Sequence, residues 1–311
     1  MVLSLLIKGS RTVFYSTSLF GIACGLNALQ IFTIPLWPFS GSLSYWINST
    51  LAGCLWRVMQ FIFEDVKGGR VTYSGDKLES DQSALVTCNH RSWSDFYMLN
   101  AVSSRLGMMP YNRYFVKDSL KHIPFFGWGM YLMGMLMVRR SWDSDQKKID
   151  RVFSDLVDNK RPVWLISFIE GSRYTTEKCL EAQEFCRSRN LPVLEHVLFP
   201  RTKGIMASIS KLRHSHVKYL YDFTIAYQQE GKPFGKAPNL IDIHTVDHLS
   251  PPYHFHMHIE KHRLEDLPTN PAELNKWIIQ LYQRKDTLLS QLAEKGWTAN
   301  LDPCLNLRPT P

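Results

Sequence analysis

The chain has 311 residues and a mass of 36.1 kDa, enough for one large or two small domains around a sizeable core. Its 45% hydrophobic and 21% charged residues are an ordinary globular mix, and a net charge of +8 suits an anionic partner: nucleic acid, a phospholipid surface or a phosphorylated substrate. Six cysteines (Cys24, Cys54, Cys88, Cys179, Cys186 and Cys304) without C-x-x-C spacing argue against a disulfide framework or a zinc site and fit a reducing compartment.

From Thr12 to Trp56 there is no Asp, Glu, Lys, Arg or His. Val13 to Ile34 is long enough to cross a bilayer, for which about 20 apolar residues suffice. Pro35 and Pro38 end that helix, Ser40 and Gly41 turn the chain, and a second apolar segment runs from Leu43 to Phe63. So short a connection makes the two helices neighbours. Either both span the membrane or the pair dips into one leaflet, and both ends return to the same side. Lys8, Arg11, Arg57, Lys67 and Arg70 place that side in the cytoplasm by the positive-inside bias. A cleavable signal peptide is excluded by length, since its apolar region runs to about 15 residues at most. Asn48-Ser49-Thr50 matches a glycosylation sequon but lies too close to the apolar helices for use. Residues 1–67 are therefore expected to form a membrane-embedded helical hairpin.

After Gly68-Gly69 the composition becomes that of a soluble α/β domain, expected over residues 68–297. Strand-like runs occur at Val71–Tyr73, Ala84–Cys88, Arg113–Val116, Met135–Val138, Pro162–Phe168, His196–Phe199 and Lys218–Tyr227. Helical patterns fall near Trp93–Ser104, Asp145–Asp158, Glu177–Arg189 and Thr202–Leu212. The alternation predicts a largely parallel central sheet flanked by helices, with ligands beyond the carboxyl ends of the strands.

Asn89-His90-Arg91-Ser92-Trp93-Ser94-Asp95 follows the second run directly. Ser92 and Asp95 have capping-box spacing, which starts a helix at Trp93 and leaves His90 in the turn. Inside one helix His90 and Asp95 would stand roughly 140° apart, so they can pair only if His90 folds back over the first helical turn. A carboxylate on one imidazole nitrogen would fix the tautomer and leave the other nitrogen as a proton acceptor. Taken alone, the pair reads first as a capped helix beside a loop histidine.

Glu170-Gly171-Ser172-Arg173 follows another strand; its glycine admits close backbone approach and its arginine offers a planar fork for phosphate. Phe199-Pro200-Arg201-Thr202-Lys203-Gly204, just before a helix, is a third loop able to receive an anion. His254, His256 and His258 alternate and would share one face of a strand, but no acidic or cysteine ligand lies near them in sequence, and no metal is expected. Pro271–Glu294 reads as a long amphipathic helix, and the tail over 298–311 is expected to be disordered.

Together these stretches resemble the glycerolipid acyltransferase family, which holds the 1-acylglycerol-3-phosphate and lysophospholipid acyltransferases. Asn89-His90 with Asp95 is similar to its His-x4-Asp motif, and Glu170 to Arg173 to its Glu-Gly-Thr/Ser-Arg motif, with Ser172 where many members have threonine. Lys117, Leu120, Pro124, Phe125, Gly127 and Trp128, ending in Arg140, resemble the intervening acceptor block, and Pro200 the fourth motif. Arg140 to Trp142, Pro200 to Thr202, and the stretch from His254 to Asp286 look most like the eukaryotic lysocardiolipin and lysophosphatidylinositol acyltransferase branch. The resemblance runs from about residue 84 to 295. C-terminal apolar segments of some relatives are not found here, so attachment is expected to rest on the N-terminal pair.

The resemblance implies transfer of an acyl group from acyl-CoA, as co-substrate and with no further cofactor, to a lysophospholipid hydroxyl. His90 is the implied base and Asp95 its orienter. Lys117, Arg140 and Arg173, with Glu170, Gly171, Ser172 and Pro200, are the implied acceptor site. The implied partners are these substrates and membrane lipids, with no nucleic acid and no obligate protein partner, and the implied location is the endoplasmic reticulum membrane. Two rivals stay open: a hydrolase using Ser92, Ser94 or Cys88, although no G-x-S-x-G elbow is present, and a non-catalytic membrane adaptor.

Overall fold

The computed structural model describes residues 2–124, 126–139 and 142–295. In chain order it contains α1 (Val2–Ile31), α2 (Gly41–Phe61), β1 (Val71–Gly75), β2 (Ala84–Cys88), α3 (Asp95–Arg105), β3 (Asn112–Lys117), α4 (Phe126–Leu132), β4 (Leu136–Val138), α5 (Trp142–Asp158), β5 (Trp164–Ser167), α6 (Thr176–Ser188), α7 (Thr202–Leu212), β6 (Tyr219–Gln229), α8 (Leu240–Thr245), β7 (Tyr253–Arg263) and α9 (Pro271–Lys295). Phe125 and Arg140 of the acceptor block and the tail over 298–311 lie outside the described residues.

One seven-stranded sheet, in the order β1-β7-β6-β2-β5-β3-β4, carries the fold. Strands β6, β2, β5, β3 and β4 run parallel to one another. β7 lies antiparallel to β6, and β1 is parallel to β7. The mostly parallel α/β architecture read from the sequence is thus present, with two reversed strands at one edge.

Burial on both faces explains the apolar strand sequences. In β2, Ala84, Val86 and Cys88 join one core with Met98, Leu99, Trp164 and Phe223. Leu85 points the other way, into a second core with Phe153, Leu165, Ile209 and Leu281. Helices α2, α3 and α4 contribute to the first core, and α5, α7 and α9 to the second.

His196–Phe199, expected as a strand, is a loop. Its amides are taken by side chains instead of a ladder: Glu195 N and His196 N donate to the Asp286 carboxylate, and Leu198 N donates to Glu170 Oε2 at 3.1 Å. Apolar character marked this segment as buried, and carboxylates from distant elements decided its backbone.

The N-terminal pair forms a helical hairpin, and among the described residues one segment, Gly9–Leu36, is long and apolar enough to cross a membrane. Only 17% of its most apolar window is buried. Helix α2 differs, because it turns Ser44, Asn48, Ser49 and Gln60 inward. Asn48 Nδ2 donates to Thr33 Oγ1 at 2.7 Å, holding the connection between the helices against α2, and the first two positions of the sequon are buried.

Both helices are tied to the domain along their length. At the start of α2, Arg161 Nη1 donates to Gly41 O at 2.9 Å and Tyr45 OH to Pro162 O at 2.6 Å. Midway, Arg113 Nη2 donates to Ser49 Oγ at 2.5 Å. Just past the end of α2, Arg105 pairs with Glu64 at 2.8 Å. On α1, Arg11 pairs with Asp247 near the end of α8. Further along, Asn27 reaches α4, where a Cβ on Gly129 would sit 1.7 Å from Asn27 Oδ1. Only glycine permits that approach.

Candidate active site

β2 and β5 are parallel neighbours, so the turns after them open on the same edge of the sheet. The first turn carries His90 and the second carries Glu170. In the first, His90 does fold back: its Nδ1 lies 2.7 Å from Asp95 Oδ2. The same carboxylate oxygen accepts Arg91 N at 2.7 Å and Ser92 N at 3.1 Å. Asp95 is therefore wrapped by its own loop, at the N-terminus of α3, where backbone amides and the helix dipole favour negative charge. Charge-assisted bonds of this kind contribute about 1.5–3 kcal/mol each. The Asp95 side chain is fully buried and that of His90 is 16% exposed.

This arrangement keeps the acid half of the expected capping box, Ser92 N donating to Asp95 Oδ2, and corrects the serine half. α3 starts at Asp95, not Trp93, and Ser94 precedes it without a side-chain cap. Ser92 is not the cap because its hydroxyl is engaged elsewhere: Ser92 Oγ donates to Pro238 O at 2.7 Å, and Ser94 Oγ to the same oxygen at 3.2 Å. With Nδ1–H donating to Asp95, Nε2 of His90 is the nitrogen left to take a proton. The Phe168 ring stacks on the imidazole, with centroids 4.0 Å apart.

Glu170 is buried behind this turn and spans two loops. Oε1 accepts His90 N at 3.0 Å and Oε2 accepts Leu198 N at 3.1 Å. Burial pushes its pKa up to about 8, against the opposing pull of these two amides. Its place is therefore behind the histidine, holding the backbone, and not on the open side of the cleft. Gly171 adopts φ +74°, and a Cβ there would meet the Arg201 guanidinium at 2.8 Å. Buried Pro200 sits in the loop that Arg201 N ties to Ile169 O at 2.7 Å.

Arg173 is exposed, with its guanidinium 5.7 Å from the Trp93 ring centroid. Ser172 lies half-buried beside it. Lys117 ends β3 on this same edge with an exposed side chain. β3 is the second strand from β2, so Lys117 stands about two strand spacings, roughly 10 Å, to the side of the His90 turn.

The hydrolase rival loses its nucleophiles here. The two serine hydroxyls face Pro238 O, and Cys88 is completely buried, with burial holding its thiol well above the ordinary range. The His256 face of β7 is likewise occupied. Thr72 Oγ1 donates to Phe255 O at 3.1 Å and lies 2.8 Å from His256 Nδ1, while Ser74 Oγ lies 2.8 Å from His256 Nε2 and 2.9 Å from His258 Nδ1.

Several site residues escaped sequence reasoning. Phe168 was seen only as the end of a strand. Tyr227 OH donates to Asp95 Oδ1 at 2.6 Å, across 132 positions that no local pattern spans. Asn89 uses its whole amide: Oδ1 accepts Ile225 N at 2.7 Å and Nδ2 donates to Ile225 O at 2.9 Å. It thereby extends β2 against β6 by one more pair. Arg91 donates to His196 O at 2.9 Å and lies 4.0 Å over the Tyr174 ring.

The family model described as Acyltransferase matches residues 70–227, just over half of the chain, and that described as Acyltransferase C-terminus matches residues 250–300. A probable 1-acyl-sn-glycerol-3-phosphate acyltransferase 5 of Arabidopsis thaliana is 31% identical over 83% of this chain and 65% of its own length. The 1-acyl-sn-glycerol-3-phosphate acyltransferase delta of Homo sapiens is 28% identical over 88% of this chain and 72% of its own length. The chain thus spans about two thirds of these curated relatives. The crystal structure of the 1-acyl-sn-glycerophosphate acyltransferase PlsC from Thermotoga maritima aligns over 85% of this chain and 95% of that one, with a TM-score of 0.45 and 14% identity. The His90 turn, the Glu170 turn and β6 as far as Tyr227 fall inside the matched 70–227 segment, and the chain belongs to the acyltransferase family.

Proposed function

We propose that the protein transfers a fatty acyl group from acyl-CoA to the free hydroxyl of a lysophospholipid, with lysophosphatidic acid as the first acceptor to test. The observation that carries this reading is the 2.7 Å contact of His90 Nδ1 with a buried Asp95, set on the same sheet edge as the exposed Arg173. His90 Nε2 takes the acceptor's hydroxyl proton as that oxygen attacks the thioester carbonyl. Asp95 stabilises the imidazolium that forms. The tetrahedral intermediate then expels CoA thiolate, which recovers the proton from His90, and no acyl-enzyme is needed because the thioester is already activated. A base of this kind contributes about 10²–10⁴ in rate. Arg173 binds the acceptor phosphate, with Lys117 and Arg140 as further cationic contacts, and Glu170, Gly171, Ser172 and Pro200 shape the turn that presents it. No metal or cofactor is invoked. The lysocardiolipin or lysophosphatidylinositol acceptors implied by the resemblance are the alternatives within the same chemistry.

The hairpin is proposed to sit in one leaflet, with the catalytic domain on the cytoplasmic side of the endoplasmic reticulum membrane. Support comes from α2: its first residues bond to Arg161 and Pro162 of the domain, and the residues just after it pair with Arg105. Crossing a bilayer would carry one of these ends away from the domain by about 30 Å. A cysteine at Phe39, in the connection between the helices, should then resist an impermeant thiol reagent applied from the far side, whereas labelling there would establish a span.

The deciding assay presents the purified protein with a panel of lysophospholipids and acyl-CoAs and follows CoA release and product mass. Arg173→Ala is expected to raise the acceptor KM more than that for acyl-CoA, and the reverse ranking would remove its assignment. Absence of CoA release with every acceptor would return the adaptor reading to first place.

A further inference from the structure

The carboxylate of Asp95 has one oxygen filled from its own turn by His90 Nδ1, Arg91 N and Ser92 N. Its other oxygen, Oδ1, faces away from that turn, toward β6, and there it accepts one bond, from the phenol of Tyr227 at 2.6 Å. Tyr227 is itself fully buried. β6 reaches this position because it outruns β2: Cys88, the last residue of β2, pairs with Phe223, and β6 continues to Gln229. Asn89 fixes the overhang by clamping both backbone groups of Ile225. Tyr227, two residues further along, then projects to the same side.

From this we infer that Tyr227 is a positioning residue for the His90–Asp95 pair, setting the orientation of the carboxylate from the side opposite the histidine. The inference rests on the proposed role of His90 as base. A phenol donating to an ionised carboxylate draws charge off it, so the carboxylate supports the imidazolium less strongly than an unshared one would. Tyr227 therefore keeps Asp95 from turning and shares the charge that the carboxylate presents to His90. Burial and the adjacent Asp95 keep the phenol protonated, far above its ordinary range, so it remains a donor throughout the working pH range.

The other ionisable groups around the pair come from every element packed on it. They are Cys88 from β2, Arg91 from the His90 turn, Tyr114 from β3 and Glu170 from the turn after β5, with Tyr282 and Lys285 of α9 behind Cys88 and Glu170. Among the described residues, Tyr227 is the one whose side chain bonds to Oδ1.

The test uses the full chain in detergent micelles or nanodiscs, with Tyr227→Phe as the variant and Tyr97→Phe as a matched control. Tyr97 is an equally buried phenol on α3 whose hydroxyl faces His244 at 3.2 Å, so its removal costs a similar internal bond without touching Asp95. Proton NMR is expected to show the His90 Nδ1–H resonance, which reports the hydrogen bond to Asp95, shifted in Tyr227→Phe and unmoved in Tyr97→Phe. The plateau kcat of Tyr227→Phe should fall about tenfold. An unmoved His90 Nδ1–H resonance in folded Tyr227→Phe would overturn the inference. The resonance reads the pair whether or not the protein turns over, so a failed acyltransferase assay with a shifted resonance would count against the proposed reaction and leave the role of Tyr227 standing.

Discussion

His90 and His256 belong to the same sheet and have opposite chemical positions. His90 lies just past the carboxyl end of a parallel strand, partly exposed, with a buried carboxylate on one nitrogen. His256 sits within β7, 4% exposed, with hydroxyls on both nitrogens. Its wiring closes on itself. Because Thr72 gives its hydroxyl hydrogen to Phe255 O, it accepts from Nδ1–H of His256, and Nε2 then accepts from Ser74, which in turn accepts from His258 Nδ1. The difference teaches that an imidazole becomes a base through a charged partner on one side and an open nitrogen on the other. An imidazole satisfied on both sides by neutral groups is structure.

The largest effect expected from breaking this contrast is at His90. His90→Ala should lower acyl transfer by about 10²–10⁴ while the melting temperature and vesicle binding hold, and near-normal turnover would sink the mechanism. Asp95→Asn should cost up to about 10⁴ in kcat, because an amide can hold the ring in the wrong tautomer; a steady-state kcat close to wild type would separate Asp95 from the chemistry. His256→Ala should reverse the pattern, leaving kcat intact and lowering unfolding free energy by about 1–3 kcal/mol through the orphaned Thr72 and Ser74 hydroxyls. A denaturant titration measures the latter, and a stable variant with lost activity would make β7 part of the site.

Smaller effects lie in pH. Burial lowers the pKa of His256 to about 4 and that of His258 in the same direction. A depressed base contributes stability that is complete above its ordinary value of 6.5 and is lost as pH falls through the folded value. Unfolding free energy should therefore decline between pH 6.5 and 4, with a shallower slope in His256→Gln. Glu170 works in the other direction. Its pKa rises from 4.5 to about 8, so its contribution is complete below 4.5 and is lost as pH rises through about 8. Glu170→Gln should flatten the slope of stability between pH 4.5 and 8, although the amide mispairs with one of the two backbone N–H groups and lowers stability overall. An unchanged slope in either variant would show that its group is not the one titrating.

Much of the fold was legible because its signals are local. Continuous apolar runs such as Ala84–Cys88 mark strands buried on both faces, and the limits of α7, Thr202–Leu212, agree with the helical pattern. His196–Phe199 misled because apolar content reports burial, and the Asp286 and Glu170 carboxylates that claim its amides lie 90 and 28 positions away. The expected cap at Ser92 failed for a related reason. Serine's preference for capping is a matter of local competition, and a carbonyl at Pro238, 146 positions on, outbid it.

By itself, then, the sequence determined what short-range chemistry can determine: an uncharged N-terminal pair of helices, an alternating α/β domain, and a histidine and a carboxylate five positions apart on either side of a helix start. Only the tertiary structure decided which groups complete them. Parallel pairing of β2 with β5 put Glu170 behind His90, the overhang of β6 brought Tyr227 to Asp95, and side chains from Arg105, Arg113 and Arg161 held α2 on the domain. The physical reason is that strand order and register are fixed by burial of whole faces, a property of the assembled sheet that no window of sequence contains.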